Sequence, residues 1–156
     1  MHVFSILNRK GDQVMITSPS TPVAEVVGAF KANKGGALVV TSHGKIKGIL
    51  TESEIVAGLA ERGLEVLSSP VSSLMIQVTV RCRRADTIAR VIQKMIKGDT
   101  RHVPVVEAGR LVGIVSMSDV IDGQALEAEA NSALMRECVS SGHMSQPWPH
   151  LKAGHC

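Results

Sequence analysis

The chain has 156 residues, the size of one ordinary domain, and is too short for a (β/α)₈ barrel, which needs about 250 residues. With 44% hydrophobic and 20% charged residues it can bury a core, but its 2% aromatic content makes that core aliphatic and disfavours stacking platforms for single-stranded nucleic acid. The net charge of +3, from 17 basic against 14 acidic residues, is too small to indicate nucleic-acid binding by itself.

Three features of the sequence bear on where the protein acts. The N-terminus lacks the apolar run of a signal peptide, and no stretch of about 18 apolar residues predicts a membrane span. The cysteines, Cys82, Cys138 and Cys156, are widely spaced and odd in number, which is not typical of a disulfide framework. We therefore expect a soluble cytoplasmic protein that does not engage a membrane.

The first half of the chain predicts a β-α-β-β-α unit. An extended segment, Val14–Thr17, leads into an amphipathic helix that begins after Thr21 and Pro22. The apolar residues of this helix recur at i, i+3, i+4 and i+7, at Val23, Val26, Val27 and Phe30. Two apolar strands, Ala37–Thr41 and Ile46–Leu50, are separated by a turn, and a second helix follows from Ser53.

The second half predicts the same elements in the same order. Its extended segment is Val78–Cys82, and Thr87 caps the helix that follows. The apolar face of this helix comprises Ile88, Val91, Ile92, Met95 and Ile96. The hairpin strands are His102–Val106 and Leu111–Val115, and the next helix starts at Ser118.

The two halves are copies of one unit, offset by 65 residues. Segment Gly44–Thr51 falls on Gly109–Ser116, Gly48 on Gly113, and no gap is needed from Thr21 to Ala60. One such unit cannot bury both faces of a three-stranded sheet. We therefore predict an α/β (α+β) fold in which two β-α-β-β-α repeats pack sheet to sheet about a pseudo-twofold axis.

The predicted boundaries follow from composition. Residues 1–66 form repeat 1 with its N-terminal lead-in, and residues 67–124 form repeat 2, with Gly63–Pro70 as the linker. Residues 125–156 comprise a helix, Ala125–Val139, rich in alanine, leucine and glutamate, and a mobile tail, Ser140–Cys156.

Each repeat ends its hairpin on one signature: glycine, two apolar residues, a hydroxyl residue, two further residues and an acid. The signature occupies Gly48–Glu54 and Gly113–Asp119. Together with the strand His102–Val105, it resembles the cystathionine-β-synthase (CBS) domain, from about Val14 to Ile121. The chain looks most like small stand-alone bacterial CBS-pair proteins related to the CBS module of inosine-monophosphate dehydrogenase, and the lead-in Ile6–Gly11 is also similar to that group.

This resemblance implies a Bateman module, in which two CBS domains surround a central cleft and the module usually forms a homodimer. Such modules bind adenosyl ligands, namely AMP, ADP, ATP, S-adenosylmethionine or NAD. They are regulatory, so no enzyme activity, catalytic residue or metal is expected here.

The chemistry of the signature supports nucleotide binding separately. The carboxylate of Asp119 can accept both hydroxyls of a ribose diol at the carboxyl end of a strand, where ligands favour the crevice. The hydroxyl of Ser116 and the following helix N-terminus suit a phosphate, as do Arg101 and His102. The strands Ala37–Val39 and His102–Pro104 offer backbone groups to an adenine. The candidate binding residues are Lys10, Ala37, Leu38, Thr51, Glu54, Arg101, His102, Val103, Pro104, Gly113, Ser116 and Asp119.

A simpler interpretation exists for both acidic positions. Thr51-x-x-Glu54 is a capping box that needs no ligand, and Ser116-x-x-Asp119 can be interpreted likewise. Glu54 also departs from the Asp or Asn usual in the family, and its longer arm has more rotamer entropy to lose. The sequence therefore favours the Ser116/Asp119 site over the Thr51/Glu54 site.

The predicted function is a cytoplasmic regulatory module, of the energy-sensing kind, that binds AMP, ATP, NAD or a similar nucleotide and modulates a protein partner or its own assembly. One alternative is an interaction scaffold with a degenerate cleft. Another is a nucleic-acid-binding protein that uses the basic cluster Arg81–Arg101, which holds seven of the 17 basic residues. No G-x-S-x-G elbow or Walker loop supports an enzyme.

Overall fold

The first repeat forms a three-stranded sheet with its helices. A computed structural model describes residues 1–34 and 36–140, so the predicted tail lies, apart from Ser140, outside the described residues. The elements are α1 (Val3–Lys10), β1 (Met15–Thr17), α2 (Val23–Ala32), β2 (Ala37–Ser42), β3 (Lys45–Thr51) and α3 (Glu52–Arg62). Strand β1 pairs parallel with β2, which pairs antiparallel with β3. The predicted β-α-β-β-α order is confirmed for this repeat.

The second repeat keeps the hairpin but lacks a first strand. Its elements are α4 (Ile88–Lys97), β4 (His102–Glu107), β5 (Arg110–Ser116) and α5 (Met117–Ser140). The predicted strand Val78–Cys82 is wrong, since only Cys82 forms an isolated parallel bridge, to Val105. The carbonyl of Arg81 accepts a hydrogen bond of 2.7 Å from the Lys94 ammonium, so the segment contacts α4 at Arg81 and the sheet at Cys82 alone. The second sheet therefore has two strands, β4 and β5.

Matched two-residue turns close both hairpins. His43 and Gly44 have φ of 51° and 73°, and Ala108 and Gly109 have φ of 48° and 76°. Two consecutive positive φ angles are typical of the turn whose twist suits a tight β-hairpin. The turns predicted at these positions are confirmed.

The helices differ from prediction at three places. The expected linker is a 3₁₀ helix, Gly63–Ser68, followed by a second one at Val71–Ser73. The two helical segments expected from Ser118 and Ala125 are one continuous helix, α5. None of the helices among the described residues is long and apolar enough to cross a membrane.

The amphipathic helices bury narrower faces than their apolar patterns predict. In α2 the buried residues are Val23, Val26 and Phe30, and in α4 they are Ile88, Val91 and Met95. Val27 is 41% exposed and Ile96 is 72% exposed, so both lie outside the core. Each sheet covers only one side of its helix, which leaves these flanking positions in contact with solvent.

The lead-in segments of the two repeats are exchanged. Helix α1 precedes repeat 1 but buries Val3, Ile6 and Leu7 in the core of repeat 2. The segment that precedes repeat 2 packs on repeat 1, where Val71 is buried beside Leu38 and Leu50. The core of each repeat is therefore covered by the segment that precedes the other repeat in the sequence.

The two sheets meet face to face between the repeats. Ala37, Val39 and Ile49 of the first sheet pack with Ile114 of the second. Partly buried Val14, Ile46, Val78 and Leu111 surround this contact. The predicted α/β architecture of two repeats packed sheet to sheet, followed by a C-terminal helix, is confirmed.

Candidate functional site

A cleft lies between the two repeats, at the end where β5 runs into α5. Its volume is about 410 Å³. Both repeats and the lead-in contribute to its walls, which comprise Lys10, Gln13, Val14, Met15, Asn33, Lys34, Gly36, Ala37, His102, Ile114, Ser116, Ser118 and Asp119. Five predicted binding residues, Lys10, Ala37, His102, Ser116 and Asp119, are brought together here.

Asp119 is the central charged group of this cleft. Its Oδ2 accepts hydrogen bonds from the Lys10 ammonium at 2.6 Å and from the Ser116 backbone N–H at 2.8 Å. Burial disfavours the charged carboxylate, but these hydrogen bonds outweigh burial and lower the pKa of Asp119 below its ordinary value. Both bonds end on Oδ2, and the carboxylate lines the cleft, where a ligand hydroxyl could reach it.

The capping interpretation of Ser116 and Asp119 also holds. The Ser116 hydroxyl accepts a hydrogen bond of 3.1 Å from the Asp119 N–H, which completes the reciprocal box. The Met117 N–H donates to the Arg101 carbonyl at 2.8 Å. Two of the first N–H groups of α5 are thus already used, so the helix N-terminus offers a phosphate fewer donors than the sequence predicts.

Thr51 and Glu54 form a capping box in the first repeat. Glu54 Oε2 accepts a hydrogen bond of 2.7 Å from the Thr51 N–H, and the Thr51 hydroxyl donates to the same oxygen. At the equivalent serine, the hydroxyl contacts the Ser118 hydroxyl at 2.8 Å and also hydrogen-bonds the carboxylate of Asp119, which contributes to the lowered pKa of Asp119. Both carboxylates are therefore engaged within their own turns, and Asp119 is paired with Lys10 in addition.

His102 lies between the two acidic positions. Burial is the main cause that lowers the pKa of His102, and the charges of Lys10 and Arg101 act in the same direction. The carboxylates of Asp119 and Glu54 oppose this shift without reversing it. The imidazole is therefore neutral at pH 7 and can both donate and accept a hydrogen bond.

We expect His102 to make stability depend on pH. Because its pKa is lower in the folded protein than its ordinary value of 6.5, its contribution is present above pH 6.5 and is lost as the pH falls through the folded pKa. When the pH is lowered from about 7.5 to about 5.5, the free energy of unfolding measured in urea should fall further for the wild type than for His102→Gln. Equal losses in the two proteins would contradict this assignment.

Other predicted binding residues lie outside the cleft. Leu38 and Val103 are 2% and 0% exposed and belong to the helix-side cores, so their side chains cannot reach a ligand. Pro104 is buried, and its carbonyl accepts the Cys82 N–H at 3.0 Å. Gly113 lies under α1, where a Cβ would come within 2.9 Å of Leu7. These residues have packing roles in the structure, and the contact predicted between the strand backbone and an adenine stays a prediction.

Arg101 faces a neighbouring cavity of about 560 Å³ rather than the main cleft. The wall of this cavity comprises Arg101, His102, Ser116, Met117, Ser118 and Ile121. It shares His102, Ser116 and Ser118 with the cleft, so the two spaces adjoin.

The basic cluster Arg81–Arg101 is partly neutralised by local acids. Asp86 contacts the Lys94 ammonium at 2.9 Å and the Arg90 guanidinium at 3.8 Å, and Arg84 lies 3.6 Å from Asp12. These pairs disfavour the nucleic-acid alternative. In the stretches the structure describes, no three His, Cys, Asp or Glu side chains form a metal-binding group.

The family is decided by comparison with known proteins. The family model of the CBS domain matches residues 6–61 and 71–125. The chain belongs to the CBS-domain family. It is a tandem CBS pair, as the repeated signature predicts.

Three proteins are similar to this CBS pair over most of their own length. A solved CBS-domain protein of Agrobacterium tumefaciens is 38% identical with a TM-score of 0.74, over 80% of this chain and 99% of that chain. A CBS domain-containing protein of Bacillus subtilis is 29% identical over 130 residues, 83% of this chain and 92% of the relative. A CBS domain protein of Pyrobaculum aerophilum, solved in complex with AMP, is 23% identical with a TM-score of 0.67, over 76% of this chain and 89% of that chain. This last likeness shows the fold.

Sequence reasoning missed eight cleft residues of this CBS pair, four of them with polar side chains: Gln13, Asn33, Lys34 and Ser118. Asn33 and Lys34 follow α2 in a turn that precedes β2, and Lys34 has a positive φ of 56°. The signal was a turn of Asn, Lys and two glycines directly before an inner strand. Gln13 could be placed only once the path of the lead-in was known.

Proposed function

We propose that this CBS pair is a regulatory module that binds an adenosyl nucleotide in the cleft between its repeats. The observation that carries the proposal is the ionised Asp119 carboxylate, which lines a cleft built by both repeats and can accept hydrogen bonds from a ribose diol. Aliphatic Val14 and Ile114 line the same space and suit the faces of an adenine. The AMP complex of the Pyrobaculum relative supports the same ligand class.

We propose a single ligand site of this kind, at Asp119 rather than at Glu54. The Glu54 side chain is longer than that of Asp119 and has more rotamer entropy to lose when a ligand binds. In addition, the residues of repeat 2 that correspond to Gly36 and Ala37 of repeat 1 are Arg101 and His102. A site beside Glu54 would thus have two large side chains at these positions, whereas the glycine and the alanine leave room beside Asp119.

The output we propose is a change in a partner's binding or in the module's own assembly. A ligand between the repeats can shift their arrangement only by as much as it binds one arrangement better. From the family we also propose a cytoplasmic homodimer without catalytic activity. AMP, ATP and NAD are the candidate ligands.

We expect an adenosyl compound to raise the unfolding temperature of the chain. A ligand at 100 times its Kd adds about 2.7 kcal/mol, which shifts the transition of a domain of this size by several degrees. The panel comprises AMP, ADP, ATP, NAD⁺, NADH and S-adenosylmethionine, with GMP as the control nucleobase. Asp119→Asn should reduce the shift, since the neutral amide is a weaker acceptor for the diol than the carboxylate.

Glu54→Gln is the matched control variant, because it makes the same change at the equivalent position of the other repeat. It should keep the ligand-induced shift. A panel in which no adenosyl compound stabilises the chain at millimolar concentration would refute nucleotide sensing and favour the scaffold alternative. Loss of the shift in Glu54→Gln, with retention in Asp119→Asn, would place the site in the other repeat.

A further inference from the structure

The cleft is lined by more positively charged than negatively charged side chains. Lys10, Lys34 and Asp119 line it, while His102 is neutral. Asp119 is already neutralised by Lys10 at 2.6 Å, and Lys34 forms no ion pair among the residues that the structure describes. The cleft therefore carries a net positive charge before any ligand enters.

Lys10 is held in place rather than free to swing away. It ends helix α1, whose Val3, Ile6 and Leu7 are buried against repeat 2. Its side chain is 28% exposed, and one of its three N–H donors is used by Asp119. The remaining donors belong to an ammonium that is fixed beside the carboxylate to which a ribose would bind.

We infer that the cleft selects a phosphorylated adenosyl ligand and that Lys10 is the specificity-determining residue. This inference rests on the proposed function, since it assumes that the ribose binds Asp119. A phosphate would compensate the net positive charge that Lys10, Lys34 and Asp119 together give the cleft, through charge-assisted hydrogen bonds to the lysines. The sulfonium of S-adenosylmethionine would instead add a like charge, and adenosine would add none. The preferred ligand class is thus a nucleotide with an anionic 5′ group.

Calorimetric titration of the full chain with AMP, adenosine and S-adenosylmethionine tests this inference. We expect AMP to bind about tenfold more tightly than adenosine, the fold-change typical of one charge-assisted contact, and S-adenosylmethionine to bind most weakly. Lys10→Gln should reduce AMP affinity about tenfold and change adenosine affinity much less. The AMP preference should also weaken at high salt, because the cleft is open to solvent.

Two variants distinguish an effect of the Lys10 charge from other effects of the substitution. Lys10→Arg keeps the charge and should retain the AMP preference. Lys45→Gln removes an exposed charge at the turn end of the hairpin, away from the cleft, and should leave all affinities unchanged.

Each contrary result has a distinct meaning. Equal binding of AMP, adenosine and S-adenosylmethionine would overturn the inference while the proposed function stands. Equal loss of AMP and adenosine in Lys10→Gln would also overturn it, because Lys10 would then act only by positioning Asp119. Failure of every adenosyl compound to bind the wild type would instead refute the proposed function itself.

Discussion

Replacing Ile6 by alanine is expected to lower the free energy of unfolding by about 3 kcal/mol, a typical cost for truncating a buried isoleucine. Ile6 is 0% exposed and packs with Val103 and Val115 in the core of the second repeat. Helix α1 has 8 residues, too few to be stable in water without this docking. Urea unfolding followed by circular dichroism measures the loss.

Phe4→Ala is the control on the same helix. Phe4 is 45% exposed and stacks on His2, so its truncation should cost less than about 1 kcal/mol. Since α1 also carries Lys10, Ile6→Ala should weaken AMP binding, whereas Phe4→Ala should not. Similar stability losses in the two variants would show that α1 is not docked as the structure has it.

The elements that sequence predicted correctly are those set by local patterns. The α2 and α4 helices follow from apolar residues at helical spacing, and Thr87 caps α4 through a 3.3 Å bond from the Arg90 N–H. Both hairpins follow from apolar runs around short turns. The offset of 65 residues then gave the tandem architecture, because repeated units must share one fold.

The exchange of lead-in segments could not be predicted from local patterns. Helix α1 and the 3₁₀ helix Val71–Ser73 each bury apolar residues against the repeat that does not follow them. Which repeat a short apolar segment covers depends on contacts distant in sequence. A signal did exist, since glycines recur at Gly48/Gly113 and at Gly58/Gly123, where the exchanged segments approach closely.

The candidate site was predicted where chemistry and position coincide, as at Ser116 and Asp119. The prediction for Leu38 and Val103 concerned their backbone groups and did not consider which face of the sheet their side chains occupy. Strand side chains alternate between faces, so Ala37 and Val39 face the other repeat while Leu38 faces the helices. From the sequence alone, this alternation would have excluded the Leu38 side chain from the cleft.

Replacing Gly48 by alanine is expected to destabilise the protein by about 3 kcal/mol, the upper part of the range for overpacking a core. A Cβ at Gly48 would lie 2.8 Å from the Ile76 carbonyl oxygen and 2.8 Å from the Met75 sulfur. That carbonyl accepts the Ile49 N–H at 2.9 Å, and the Ile76 N–H donates back to Ile49 at 2.9 Å. The new methyl group must therefore separate a backbone bridge, which no rotamer change can avoid.

Gly113→Ala is the matched variant at the equivalent position of the second repeat. Its Cβ would meet the Leu7 side chain at 2.9 Å, and a side chain can shift where a carbonyl held in a bridge cannot. We expect a loss of about 1 to 2 kcal/mol for Gly113→Ala. Gly109→Ala, with φ of 76° and open space around it, should lose about 1 kcal/mol from backbone strain alone. If denaturant unfolding shows Gly48→Ala to be no worse than Gly109→Ala, the second lead-in does not pack against β3 in solution, and the exchange of lead-in segments is wrong.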